Sequence, residues 1–209
     1  MKAIFRGTLC LVGLWTGAVL AEEGWTDLFN GRNLNDWVQR NGTATFRVEG
    51  NEIVGRTSEG SPNSFLCTKK EYGDFELTFE VKVDDALNSG VQIRSQSRPD
   101  RDNGRVHGPQ VEIATNGTAG FIYGEALGTG WLTEPKPHDL FKKGDWNHYR
   151  VVAQGKTIKT YLNGQPVAEL VDEKTGMLSG FIGLQVHGIP RGQGPYEVRW
   201  RNLKIRELK

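Results

Sequence analysis

The sequence predicts an all-β protein, a sandwich or jelly roll of antiparallel strands. Three observations carry that prediction. Gly supplies 27 of the 209 residues, about 13% where an ordinary chain has about 7%, and most of these glycines lie between short apolar runs. Within the runs apolar and polar residues alternate, the period of a strand with one buried face. No segment sustains the 3.6-residue apolar stripe of an amphipathic helix.

The first residues stand apart from that pattern. Met1–Arg6 carries Lys2 and Arg6, Thr8–Leu20 is apolar and uncharged, and the run ends in Val19-Leu20-Ala21. A basic start, a short apolar centre and a small residue at the cut form the pattern of a secretory signal peptide. The apolar run is short for a membrane span, and Cys10 follows Leu9, with no small residue before it to mark a lipid-anchored cysteine. The expectation is a signal peptide at 1–21, one domain at 22–209, a secreted or periplasmic protein, and no membrane attachment after cleavage.

Cleavage changes the arithmetic. The chain has 26 Lys+Arg against 25 Asp+Glu. Losing Lys2 and Arg6 takes the net charge from +1 to −1. Such a balance excludes a nucleic-acid partner, which needs a basic surface to replace counterions. Cys67 becomes the one remaining cysteine, so no internal disulfide is expected. Its setting, Ser64-Phe65-Leu66-Cys67, predicts a buried, inert thiol.

The strands follow in order. Phe75–Val83 places every apolar residue at an odd position and every polar one at an even position, the clearest half-buried strand in the chain. Tyr149–Ala153 and Thr157–Leu162 make a further pair, and Asn163-Gly164 closes a tight turn because both residues tolerate positive φ. Trp200–Leu208 reads as the last strand. Gly104–Pro137 is less regular and predicts loops laid over one sheet face, where function is often carried.

Four short runs place hydrogen-bonding side chains opposite apolar ones. In Gly90-Val91-Gln92-Ile93-Arg94, Gln92 and Arg94 oppose Val91 and Ile93; in Gln110-Val111-Glu112-Ile113, Gln110 and Glu112 oppose Val111 and Ile113. Tyr123 opposes Ile122, and Gln185 and His187 oppose Leu184 and Val186. A solvated outer face explains such alternation equally well. Two features favour a binding face: the side chains are amides, Arg and one carboxylate, and His107, Tyr123 and Trp131 lie in the intervening loops. Aromatic rings beside planar hydrogen-bonding groups suit sugars, which present apolar faces and hydroxyl edges. His187 suits proton transfer near neutral pH. His138 and His148 read as surface or structural residues. The four His show no metal-site spacing, and neither a phosphate loop nor a Gly-x-Ser-x-Gly elbow is present. A standard glycosidase needs two carboxylates flanking the bond. Glu112 is the one clear acid in its run, and spacing does not support Asp102 or Glu125 as a second.

The ordered motifs resemble a known family. They are Trp25-Thr26-Asp27-Leu28-Phe29-Asn30-Gly31 with Leu34 and Trp37, Tyr72–Leu77, Asn88–Arg94, Gly108–Ile113, Gly120–Gly124, Trp146–Arg150, Asn163-Gly164, Gly183–His187 and Arg201-Asn202-Leu203. In order and spacing, from Gly24 to Lys209, they are similar to the 3-keto-disaccharide hydrolase domain family. The resemblance implies a concanavalin-like jelly-roll β-sandwich, a secreted or periplasmic location, and action on glycosides oxidised to a ketone at C3. Many members carry Glu two residues before Gln on the central strand. Here the order is Gln110 then Glu112, which leaves open which of the two takes the acid–base role.

That chemistry suits the residue set. A ketone at C3 acidifies the C2 hydrogen. A base removes it to give an enediolate, the C1 group leaves, and water adds back. One base, one acid and a stabiliser for the C3 oxygen suffice. His187 or Glu112 is expected as the base, with the other as proton donor, and Arg94 as the stabiliser. Gln92, Gln110, Tyr123, Gln185 and His107 are expected to bind hydroxyls, and Trp131 to stack on a ring. No cofactor is expected in this chain, since a separate sugar 3-oxidoreductase would supply the ketone. Two other readings stand beside the enzyme: a lectin-like carbohydrate-binding module using the same face without chemistry, and an adhesion domain. The oxygen-rich loop Asp100-Arg101-Asp102-Asn103-Gly104 reads as a solvated turn, with a structural Ca²⁺ as the alternative.

Overall fold

The computed structural model describes residues 24–209, and the segment read as a signal peptide lies outside the described residues. The strands are β1 Trp25–Asp27, β2 Trp37–Arg40, β3 Thr45–Glu49, β4 Glu52–Arg56, β5 Ser64–Thr68, β6 Phe75–Val83, β7 Ser89–Ser97, β8 Val106–Ile113, β9 Ile122–Glu125, β10 Gly130–Trp131, β11 Asn147–Gln154, β12 Thr157–Leu162, β13 Gln165–Val171, β14 Phe181–Val186 and β15 Glu197–Glu207. The one helical turn among the described residues is a 3-10 turn at Asp102–Gly104. The protein is an all-β jelly roll of two antiparallel sheets.

One sheet runs β13-β12-β11-β6-β15-β4-β3, with β1 added to β15; the other runs β10-β9-β8-β7-β14-β5-β2. Alternation builds the core between them. Phe75, Leu77, Phe79, Val81 and Val83 of β6 all point inward, and Phe79 stacks on Tyr149 with centroids 4.9 Å apart. From the facing sheet the register lines up Leu66, Leu184, Val91, Val111 and Ile122 across five strands, and all five are buried in the same core.

The hairpin read from Asn163-Gly164 joins β12 to β13, with both residues at positive φ. Gly104–Pro137 corrects an expectation. It holds β8, β9 and β10, so Tyr123, Trp131 and His107 are strand residues rather than loop residues. Its glycines and turns obscured three strands of two to eight residues. Cys67 is fully buried and free, and burial pushes its thiol up to about 12 against a smaller opposing pull from Arg40.

Candidate functional site

The neighbouring register of the same sheet faces away from the core. It aligns Cys67, Gly183, Gln92, Gln110, Tyr123 and Trp131 across β5, β14, β7, β8, β9 and β10. One step along, Gln185 of β14 and Glu112 of β8 both pair with Gly90 of β7. Because side chains alternate with period 2, this one register places the amides, the carboxylate and the aromatic pair on one face. Gln110, Gln185, Glu112, Tyr123 and Trp131 line a cavity of about 490 Å³.

The small residues on that face are required by it. A Cβ on Gly90 would stand 2.5 Å from Gln110 Cδ, so Gln110 lies directly over this glycine. A chain of amides then fixes Glu112. Ser95 Oγ donates to Gln92 Oε1 at 2.8 Å, Gln92 Nε2 donates to Gln110 Oε1 at 2.7 Å, and Gln110 Nε2 donates to Glu112 Oε2 at 3.0 Å. Gln185 Nε2 gives Gln110 Oε1 a second bond at 2.7 Å. Two donors on Gln110 Oε1 settle which end of this amide faces Glu112. Asn88 Nδ2 donates to the other carboxylate oxygen.

Glu112 is nearly buried. Burial pushes its carboxyl up to about 7, outweighing the opposite pull of the Asn88 and Gln110 bonds, and Glu125 adds to the rise. A carboxyl poised near neutral pH can both hold and release a proton there. Gln185 Oε1 is buried and has no donor among the described residues. An orphan acceptor of this kind is costly unless a ligand or water satisfies it.

His187 follows β14 at the exposed mouth of the cavity. Its Nδ1 lies 2.7 Å from the Gly188 carbonyl oxygen. A carbonyl only accepts, so Nδ1 carries the hydrogen and Nε2 is left as the basic nitrogen. Tyr123 and Trp131 meet edge to face with centroids 5.3 Å apart and form another wall.

The cavity also gathers one acid that spacing alone did not support and three residues to which the sequence assigned no role. Glu125, Arg105, Asn63 and Asn88 line it. Glu125 is buried and receives Asn63 Nδ2 at 3.4 Å, Gln185 Nε2 at 3.4 Å and Arg105 Nη2 at 3.5 Å. The expectation of one carboxylate is therefore corrected to two. A signal existed: Glu125 lies two residues beyond Tyr123 and shares its face once β9 is extended. Asn88 stands at the entry to β7, one residue before the alternating run begins.

Three expected contacts are placed elsewhere. Arg94 does not line the cavity. A β-bulge between Gln92 and Gln96 puts Arg94 at φ 48, and its guanidinium points to the other sheet. It donates to Gly73 O at 2.8 Å, Gly155 O at 2.6 Å and Asp74 Oδ1 at 2.8 Å. Strict alternation put it beside Gln92; one extra residue in β7 reversed it. His107 faces a separate cleft bounded by Arg98, Arg101 and Thr175–Ser179, and its Nδ1 donates to Arg105 O at 2.9 Å. Gln92 is fully buried beneath Gln110 and acts through it. His138 is held by Ala119 O and Leu140 N, against the Phe121 ring. In the Asp100–Gly104 loop, Asp100 is paired with Arg98. No group of three or more His, Cys, Asp or Glu among the described residues is placed to hold a metal ion.

Solved structures share this architecture. A protein of Parabacteroides distasonis, named a candidate glycosyl hydrolase, is 22% identical with TM-score 0.69, covering 91% of this chain and 99% of that one. The carbohydrate-binding module CBM66 of Bacillus subtilis is 20% identical with TM-score 0.60, over 84% of this chain and 98% of that one. The β-glucanase of Bacillus licheniformis is 14% identical with TM-score 0.65, over 90% and 100%. At these identities the likeness is one of fold. No curated protein matches the chain. The sequence model of one family matches residues 24–206, and the chain belongs to that family, the 3-keto-alpha-glucoside-1,2-lyase-like domains.

Proposed function

We propose that the protein is a secreted or periplasmic enzyme that cleaves 3-keto-glycosides, 3-keto-disaccharides among them, by removing the C2 proton and expelling the C1 substituent. The observation that carries this is the meeting in one cavity of Glu112, poised near neutral pH by burial, and His187, with Nε2 free. His187 Nε2 takes the C2 proton, the electron pair moves to the C3 oxygen, and its return expels the C1 oxygen. Glu112 gives that oxygen a proton, and water adds across C1–C2 to complete net hydrolysis. Gln110 and Gln185 orient hydroxyls, with Gln185 Oε1 as the acceptor for one of them, and Trp131 with Tyr123 supports a ring face. The chain's own residues supply these groups, and a separate oxidoreductase supplies the ketone.

Two other readings each rest on an observation. Glu112 and Glu125 share the cavity, as the paired acids of an ordinary glycosidase would. The fold is also shared with a carbohydrate-binding module. One assay separates the three. The protein is incubated with a 3-keto-disaccharide and with the parent disaccharide, and released monosaccharide is measured. Release from the keto sugar alone is expected. Release from both supports the two-carboxylate enzyme, and binding with release from neither supports the module.

A further inference from the structure

The proposed reaction puts negative charge on the C3 oxygen, and Arg94, the residue expected to meet it, points into the other sheet. Among the described residues lining the cavity, Arg105 is the one Lys or Arg. We propose that Arg105 is the oxyanion-stabilising residue of this site and that Glu125 and His107 position it. The proposal rests on the 3-keto-glycoside reading above.

The argument starts from the backbone. Arg105 follows the 3-10 turn at Asp102–Gly104, and bonds on both sides pin it. Gly104 O accepts Ser97 Oγ at 2.6 Å and Asn41 Nδ2 at 3.2 Å. Val106 N donates to Asn41 Oδ1 at 2.8 Å, and Arg105 O accepts His107 Nδ1 at 2.9 Å. His107 is buried and reaches no cavity atom of the main site, so its ring serves to fix the Arg105 peptide.

The side chain is held very differently. Among the described residues its one polar contact is Nη2 to Glu125 Oε1 at 3.5 Å, at the limit of a hydrogen bond. The Arg105 side chain is 57% exposed and that of Glu125 only 6%. Other N–H donors of the guanidinium are thus left for a ligand. A buried carboxylate keeps the fork at the cavity wall without saturating it. A seated sugar would displace water around the guanidinium and strengthen its attraction for a developing oxyanion. Arg94, by contrast, is buried outside the cavity, and three of its five donors go to two carbonyls and Asp74.

The test uses the full-length secreted protein and a 3-keto-disaccharide. Arg105→Ala is expected to lower kcat by about 100-fold, the usual size of losing one oxyanion donor, with KM changed far less and melting temperature unchanged. Added guanidinium chloride at low millimolar concentration should restore part of kcat in Arg105→Ala and do nothing for the wild type, a response that a purely structural role would not give. Arg105→Lys should retain more activity than Arg105→Ala. In a double-mutant cycle the effects of Arg105→Ala and Glu125→Gln on kcat/KM should be strongly less than additive, because Glu125 acts through Arg105. An active wild type with an equally active Arg105→Ala, or full additivity with no rescue, overturns the assignment of Arg105 and leaves the reaction standing. A wild type that binds the keto sugar and releases nothing overturns both.

Discussion

Arg94 and Glu112 are both buried charged residues on one sheet, and their surroundings give them opposite fates. Arg94 is matched by three acceptors, so its loss would remove the ion pair of Asp74, which keeps the Gly155 amide, and the donors to two carbonyls. Arg94→Ala is expected to cost about 2–3 kcal/mol in denaturant unfolding, while the molecules that remain folded keep their activity. A catalytic Arg94 would show the reverse, full stability with lost turnover. Glu112 is held by two amide donors, and burial still wins, raising it from 4.5 to about 7. The native state therefore binds a proton that the unfolded chain has released over that window, so stability falls as pH rises from 4.5 to 7. The total is on the order of 3 kcal/mol. Glu112→Gln should flatten that part of a stability profile measured by chemical denaturation. It should also reduce turnover about 10²–10⁴-fold. In the wild type kcat/KM is expected to decline as pH rises through about 7, where the proton donor is lost.

Strands were legible wherever alternation ran unbroken. Phe75–Val83, Tyr149–Ala153, Thr157–Leu162 and the Asn163-Gly164 hairpin follow from period 2 and turn chemistry alone. Alternation fails at bulges. In β15 the register shifts between Arg201 and Lys204, with Asn202 at φ 52, and this lets Trp200 and Leu203 both face the core. In β7 the corresponding extra residue reversed Arg94. Neither bulge announces itself by a glycine, so counting positions from a run's start cannot find them. The polar face itself was legible at Gln110, Glu112, Tyr123 and Gln185, because each sits in an unbroken register. Glu125 and Arg105 were hidden in a Gly-rich stretch whose strands are short. The element scale also yields a test of the amide platform. Gly90→Ala would press a methyl group into Gln110, which three hydrogen bonds restrain. Overpacking of this kind costs about 1–3 kcal/mol. The expected outcome is a folded protein with at least about a 10-fold loss of kcat; unchanged kcat would show that Gln110 does not hold Glu112 in place.

The whole molecule divides its work between two sheets. The outward face of the eight-stranded sheet carries a lattice of ion pairs: Glu76 with Arg150 and Arg206, Glu80 with Arg201, and Glu197 with Arg47 and Arg199. Arg201 and Arg206 also lie over Trp146 and Trp25, at 4.0 and 5.1 Å from the ring centroids. Burial would raise Glu76, Glu80 and Glu197, but hydrogen bonds from their arginines outweigh it and hold all three below the ordinary value of 4.5. Their contribution to stability is present above about 4.5 and is lost as pH falls through the lowered values. Melting temperature should therefore drop steeply below pH 4, and less steeply in Glu76→Gln. The second sheet leaves its outward face to the cavity. Among the described residues Cys67 is the one cysteine, buried and free, so core packing and this lattice hold the fold together. Cys67 should resist thiol reagents until the protein unfolds, and reductant should leave melting temperature unchanged. The central claim, that this face removes the C2 proton of a 3-keto sugar, is tested most directly by proton NMR in D₂O. The wild type should replace C2–H by deuterium or release the C1 substituent, and His187→Ala should lose both by about 10²-fold or more. A wild type that binds the keto sugar while C2–H and the glycosidic bond persist would contradict it.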